Sequence, residues 1–399
     1  MTCDGAVEYM RKRSAGRGGA VVSLQVCREA AALSGLSMRE TEISALRGGM
    51  CPSRYERTIG TFGLEGQAKL LESCAAVAGC GGLGGWITEI LARAGVGRLI
   101  LIDGDAFDEN NLNRQLYATE ENLGEPKAAA AAERVRRVNS SVSVKHYEIF
   151  INETNGVNMI APANVVLDAL DNNSGRRDVF SLCRRLGIPF IHGAVAGFFG
   201  QAAVMRPQDR ALWENTDTPD KGIELTTGNP PFIPPFIASV QAAEALKILA
   251  GLEGGLEHTL LWFDLMRCEA EIKMMKTKIV LDAHFDMLLD VLTLRRRGGH
   301  AVMEERFLPG LRAAGVNAVV CSVFILDELV PEGALRNALD QISALRADLE
   351  ESPSFALCRS AGECRAAAAD GKVALFLSLE GAEPIGRDIL LLRVFYDLG

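Results

Sequence analysis

The sequence has no CxxC pair. Its ten cysteines, Cys3, Cys27, Cys51, Cys74, Cys80, Cys183, Cys268, Cys321, Cys358 and Cys364, stand singly. That spacing excludes a structural zinc site built from four cysteines and the paired framework of a small secreted scaffold. Several thiols lie in apolar stretches, where cysteine acts as a small core residue, a usage suited to a reducing compartment. Excess positive charge is also lacking: 42 Lys and Arg stand against 51 Asp and Glu, a formal net charge of -9. A broad nucleic-acid surface needs clustered cations. The one compact basic run, Arg295-Arg296-Arg297, reads as a solvated helix end. The first residues hold no apolar core of signal-peptide length, and no window approaches a membrane-spanning apolar run. These absences predict a cytoplasmic protein without nucleic-acid or membrane partners. What is present is a chain of 399 residues, 48% hydrophobic and 23% charged, long enough for two globular domains.

Residues 1 to about 30 are expected to be loose, and MRETEISALRG, 38–48, to form a short helix. The segment CAAVAGCGGLGGWITEILARAG then reads as an apolar strand, a glycine turn and a helix with Ile87, Ile90 and Leu91 on one face. RLILIDGDAF, from residue 98, is a second buried strand ending in acids. Pro126 opens a helix to residue 139, residues 142–150 form a strand, and 164–173 form another buried strand ending in acids. A helix and the strand IPFIHGAVAG follow. This β-α-β-α-β alternation predicts an α/β fold: a Rossmann-like, mostly parallel sheet with helices on both faces. Residues 206–236 read as a long loop, 237–250 as a helix, and LLWFDLMRCEAEIKM as one closing strand.

The glycine turn carries the first chemistry. Gly79, Gly81 and Gly84 satisfy G-x-G-x-x-G, with Gly82 beside them. Glycines let backbone approach phosphates, and the helix start supplies amide donors. The motif alone does not separate ATP from NAD, and a bare tight turn is the bland alternative. Asp103, ending the second strand, suits a ribose contact; Asp105 and Asp108 suit a turn. The segment Asn110-Asn111-Leu112-Asn113-Arg114-Gln115 and the later Gly124-Glu125-Pro126-Lys127 are more specific. Hydride transfer has no general need for cations there. Adenylation does, because negative charge builds on the phosphoryl oxygens and on the departing pyrophosphate. Asp171, at the end of a strand, suits Mg2+. Taken singly, Arg57 reads equally as a surface charge, Lys127 as a first-turn helix residue and Asp171 as a helix cap.

Together these residues resemble the ThiF/MoeB/HesA family, bacterial relatives of ubiquitin-activating enzymes, over residues ~38–270. The resemblance rests on Arg54-Tyr55-Glu56-Arg57, Gly66-Gln67, GCGGLG, DGD, NLNRQL, GEPK, LDNN and SVQAAEALKIL. It implies an ATP-dependent adenylyltransferase that activates a carboxylate, with the Gly-Gly tail of a ubiquitin-like sulfur-carrier protein as acceptor. It also implies roles by position: Arg57, Arg114 and Lys127 on ATP phosphates, Asp103 on ribose, Asn111 lining the nucleotide site, and Asp171 on Mg2+. Arg114 would reach into the partner subunit's site, so a homodimer is implied. Many relatives carry zinc-binding CxxC pairs and a thioester cysteine; the loop at 211–236 has no cysteine, so adenylation without thioester transfer is expected. Its GNPPFIPP stretch is expected to shape the carboxylate channel. A dinucleotide-binding oxidoreductase shares the glycine turn and Asp103 but leaves Arg114, Lys127 and Asp171 unexplained. A non-catalytic binding module is a further alternative.

Residues 276–399 resemble the N-terminal part of the membrane dipeptidase family of metallopeptidases, through Asp282-Ala283-His284-Phe285-Asp286, the ALDQI helix and Leu379-Glu380-Gly381. The resemblance implies an incomplete β/α barrel in which His284, Asp286 and Glu380 bind Zn2+. Alternate residues at a strand end point the same way, so His284 and Asp286 can share a metal. Met275 stands where such a peptidase would begin. The expected organisation is an extension at 1–50, an adenylating domain at 51–273, and a dipeptidase-like fragment at 276–399 whose hydrolytic activity is doubtful, as in a truncated fusion.

Overall fold

Helices Cys3–Ser14 (α1) and Leu24–Ser34 (α2) occupy the segment expected to be loose. That expectation rests on the glycine-rich stretch at 15–19, which lies outside the described residues. The flanks are helical because they bury a small core: Ala6, Met10, Cys27 and Ala30 pack with Ala45 and Met50. Helix Met38–Arg47 (α3) starts with a capping box, Ser37 accepting from the Glu40 amide and Glu40 accepting from Ser37. The computed structural model describes residues 3–14, 20–209, 212, 220–252, 255–257, 259–274 and 279–399. It falls into two compact units, Met1–Met275 and Lys276–Gly399.

Helix Ile59–Glu72 (α4) follows, kinked at Gly63, where φ is +66°. Glycines at 60, 63 and 66 hide this helix from propensity. Besides a short parallel pair, Val21–Val22 with Cys51–Pro52, the strands of the first unit are Cys74–Ala78 (β1), Arg98–Ile102 (β2), Ser143–Tyr147 (β3), Val165–Asp168 (β4), Phe190–Ala196 (β5), Phe199–Met205 (β6), Thr259–Asp264 (β7) and Glu269–Met274 (β8). They form one sheet in the order β8-β7-β6-β5-β4-β1-β2-β3. The five strands β1 to β5 run parallel, as the alternation predicts; β6, β7 and β8 are antiparallel additions. The last two form a hairpin where one strand is expected. Its turn lacks Gly, Pro and Asn; the Asp264 side chain makes it by accepting from the amides of Met266 and Arg267, with Cys268 at φ +55°.

Strand residues alternate between two cores. Val77, Leu99, Leu101 and Leu167 face helices Gly82–Ala94 (α5), Lys127–Val138 (α6) and Ile233–Ala250 (α8). Ala76, Ile100, Ile102 and Val166 face helix Asn173–Leu186 (α7). Fully burying each Leu, Ile or Val contributes about 1.5–3 kcal/mol. Helix α8 begins earlier than expected, at Ile233, because prolines are tolerated in a first helical turn. It is also long and apolar enough to cross a membrane by length and composition, contrary to the sequence expectation. Its apolarity belongs to the core: Ile237, Ala238, Ala242 and Ala245 are fully buried.

In the second unit, Leu281–Phe285 (β9), Ala318–Phe324 (β10), Phe355–Leu357 (β11) and Val373–Glu380 (β12) form an open parallel sheet in the order β9-β10-β12-β11. Helices Leu288–Arg296 (α9) and Ala334–Leu349 (α11), with Leu308–Ala314 (α10) between them in the chain, contribute to its apolar core. Met275 lies outside the described residues.

Candidate active site

The chain leaves β1 toward β2 and β3, then crosses back to place β4 on the other side of β1. Such a reversal opens a crevice beyond the carboxyl ends of the two central strands, the usual ligand position in this architecture. A cavity of about 720 Å³ sits there. Gly79 follows β1 at φ +96°, with the Ala169 carbonyl 2.5 Å from where a Cβ would stand. Gly84 packs helix against turn: an added Cβ would lie 1.9 Å from the Gly79 carbonyl oxygen. Gly84 does not line the cavity, whereas Gly79, Gly81 and Gly82 do. Gly81 caps α5 without any side-chain bond, leaving the first amides of the helix for a ligand.

Four charged residues expected at the site line this cavity. Asp103 accepts from the Cys80 amide at 2.6 Å and the Asp105 amide at 2.8 Å, so it braces the glycine turn. Burial raises its pKa against those bonds. Lys127 is buried at the first turn of α6 and reaches Asp105 at 3.1 Å. A cation at the positive end of a helix is unfavourable, and the Asp105 carboxylate offsets that here. Arg114 donates to the Asn110 carbonyl at 2.8 Å and to Asn113 Oδ1 at 2.9 Å. Burial lowers its pKa, and the nearby Asp171 charge opposes that. Burial would raise the Asp171 pKa, but Asn172 and Lys221 hold it below the usual value. Lys221 Nζ lies 3.4 Å from Asp171 Oδ2. Asn111 also lines the cavity, buried and bonded to Asn110 and to the Asp108 amide.

Comparison with known proteins decides the family. Residues 55–279 match the ThiF family, more than half of the chain. The chain belongs to the ThiF family. It is 37% identical to the SAMP-activating enzyme E1 of Haloferax volcanii, covering 53% of this chain and 81% of that one. It is 34% identical to the sulfur carrier protein adenylyltransferase of Thermus thermophilus, covering 53% and 82%. The crystal structure of E. coli MccB with ATP shares the fold at a TM-score of 0.51 and 20% identity, over 63% of this chain and 83% of that one. Residues 269–399 match the membrane dipeptidase family, peptidase family M19. As a ThiF family member the protein is an adenylyltransferase-type enzyme that uses ATP.

Arg114 lines its own chain's cavity. Arg57 is exposed and does not line that cavity. The residues before Arg57 are anchored firmly. Tyr55 is fully buried; its hydroxyl donates to Glu42 at 3.2 Å and accepts from Asn139 at 3.0 Å. Arg54 pairs with Glu42 at 3.1 Å. A Cβ on Gly95 would strike the Tyr55 ring at 2.7 Å, so only glycine leaves room for it.

Sequence reasoning missed three features of this ThiF site. Ile149 and Phe150, expected to end β3, instead wall the cavity, and Phe150 is 69% exposed. Two adjacent apolar residues after an alternating strand are the available signal. Arg176 also lines the cavity, held by Asp168 at 3.2 Å and by the Leu170 carbonyl at 2.6 Å. Behind it, buried Asp168 meets His192 Nδ1 at 2.7 Å, and Gln201 lies 3.1 Å from His192 Nε2. With Gln201 donating, the Nδ1 proton faces Asp168, a neutral imidazole. No spacing rule joins these positions, which meet only across neighbouring strands.

Burial lowers the His192 pKa below its ordinary 6.5, against the pull of Asp168. The unfolded chain then binds more protons than the native one below about pH 6.5, so stability falls as pH drops through that value. The melting temperature of His192→Gln is expected to fall less than that of the wild type between about pH 7.5 and about pH 5.5. Equal slopes would assign the acid sensitivity elsewhere.

In the second unit the three expected ligands do meet. His284 Nε2 lies 3.2 Å from Asp286 Oδ1 and 3.2 Å from Glu380 Oε2. One ligand atom from each residue falls within 4.8 Å of the others. They gather at the carboxyl ends of β9 and β12, with Ser322 of the intervening β10 at 3.2 Å from His284 Nδ1.

Proposed function

We propose that residues 51–273 transfer the adenylyl group of ATP to the C-terminal carboxylate of a ubiquitin-like sulfur-carrier protein, forming an acyl adenylate and releasing pyrophosphate. The observation carrying this reading is the convergence of Gly79, Gly81, Gly82, Asp103, Arg114, Lys127 and Asp171 on one cavity of nucleotide size. ATP fits the residues present: uncapped amides and two cations for phosphate, an acid for ribose, and Ile149 and Phe150 as an apolar wall for the base. Asp171 would hold Mg2+, which neutralises phosphate charge when bound. Arg114 and Lys127 face the growing charge on the phosphoryl oxygens. Asp103 fixes the turn that holds them. The related Thermus thermophilus enzyme is a sulfur carrier protein adenylyltransferase, which supports this acceptor class.

The proposed enzyme works as a homodimer; Arg57 is exposed and does not line this chain's own cavity. Acyl transfer to an enzyme thiol is not part of the proposal. The free thiols at nine described positions, eight of them buried, accord with a reducing cytoplasmic setting. ATP–pyrophosphate exchange with Mg2+ and carriers ending in Gly-Gly tests the reading. Carrier-dependent exchange is the expected result; ATP binding without exchange on any carrier would overturn it.

The cluster of His284, Asp286 and Glu380 favours a second, separate reading: residues 276–399 bind one divalent metal such as Zn2+. Equilibrium dialysis is expected to find about one zinc per chain, lost in His284→Ala. Wild-type protein free of zinc after dialysis would dismiss the site.

A further inference from the structure

Asp171 is exposed, yet the backbone on either side of it is clamped. The amide of Leu170, the residue before it, donates to Asp168 Oδ1 at 3.0 Å, and the Leu170 carbonyl accepts from Arg176 Nη2 at 2.6 Å. On the other side, Asn172 caps α7 by accepting from the Gly175 amide at 2.7 Å. The Asp171 carboxylate itself meets only short-range support, from the Asn172 amide at 3.1 Å and from exposed Lys221 at 3.4 Å. Its direction into the cavity is therefore set by the peptide that carries it.

Arg176 supplies half of that clamp from the first turn of α7. Its three nitrogens all donate within the protein: Nε to Asp168 Oδ2 at 3.2 Å, Nη1 to Asn173 Oδ1 at 3.3 Å, and Nη2 to the Leu170 carbonyl. One guanidinium thus spans residues 168, 170 and 173, which bracket Asp171. Its anchor is rigid, because Asp168 is fully buried and also meets His192 Nδ1 at 2.7 Å. Arg176 lines the cavity, but a planar fork with every nitrogen engaged on protein acceptors is built to hold the chain. We propose that Arg176 is a positioning residue: it fixes the Leu170 peptide so that Asp171 presents its carboxylate to a divalent metal. The proposal rests on the assignment of Mg2+ to Asp171 in the adenylation reading.

The sign of the effect separates this role from a simple electrostatic one. Deleting a cation beside a metal site tightens the metal by charge alone, whereas loosening the peptide behind a ligand weakens it. Mn2+ is titrated into full-length protein carrying His284→Ala, which removes the second unit's cluster from the count. The protein is saturated with a non-hydrolysable ATP analogue, and bound metal is read by electron paramagnetic resonance. Arg176→Met is expected to weaken Mn2+ about tenfold while binding the metal-free analogue as the parent does. Arg176→Lys guards against a methionine variant that does not fold. It keeps the charge beside Asp168 but not the fork, and is expected to weaken Mn2+ as well. Parent-like or tighter Mn2+ binding in the folded variants would overturn the positioning role, as would a loss confined to the metal-free analogue, which would make Arg176 a phosphate ligand. Asp171→Asn is expected to lose most of the Mn2+ affinity. Unchanged affinity in that variant would overturn the assignment of metal to Asp171, and this proposal with it; a loss there beside unchanged Arg176 variants would overturn this proposal alone.

Discussion

Arg114→Ala is expected to lower ATP–pyrophosphate exchange by about two to three orders of magnitude. The guanidinium is partly buried, and Asn110 and Asn113 fix its direction before any ligand arrives. A preoriented cation costs no reorganisation when charge builds on the phosphoryl group, which is why its loss falls mainly on turnover. Arg114→Lys is not expected to restore activity, because an ammonium cannot reproduce the fork that Asn110 and Asn113 hold. Single-turnover kinetics separate this from lost affinity: the chemical step should slow while binding of a fluorescent ATP analogue weakens far less. Exchange within threefold of wild type would remove Arg114 from the machinery and leave Lys127, Arg176 and Lys221 as the cavity cations to examine.

Asp168→Ala is expected to destabilise the first unit by about 3–5 kcal/mol. Asp168 is fully buried and faces Arg176 at 3.2 Å and His192 at 2.7 Å. Removing it leaves a half-buried cation without its anion and a buried imidazole N–H without its acceptor. The consequence reaches the cavity, because Arg176 lines it and is held in place by Asp168. Asp168→Asn keeps an acceptor for His192 but not the charge, and should lose a smaller amount. Denaturant midpoints of the two variants check both statements. An alanine variant as stable as wild type would show that Arg176 and His192 find water or other partners at no cost.

The parts of this enzyme legible in its sequence are those built locally. The glycine turn, the strand before it and the helix after it follow from neighbouring residues, as do the acids ending β2 and the proline-started helix bearing Lys127. Each is a matter of periodicity or turn chemistry within a few residues. Elements failed to show where local preference was overridden. Helix α4 survives three glycines because Leu70 and Leu71 are buried in the tertiary core, and the β7–β8 turn uses an aspartate side chain in place of a turn residue.

By itself, then, the sequence determined that a strand, a glycine turn and a helix would offer amides to an anion, and that Arg114, Lys127 and Asp171 were candidates to meet it. Only the tertiary structure decided which of them meet. The crossing that seats β4 beside β1 brings Asp171 to the glycine turn, and the seating of β5 beside β4 joins Asp168 to His192. These outcomes depend on strand order. Strand order is chosen by burial of whole faces across the sheet, a long-range free energy that no short window of residues contains.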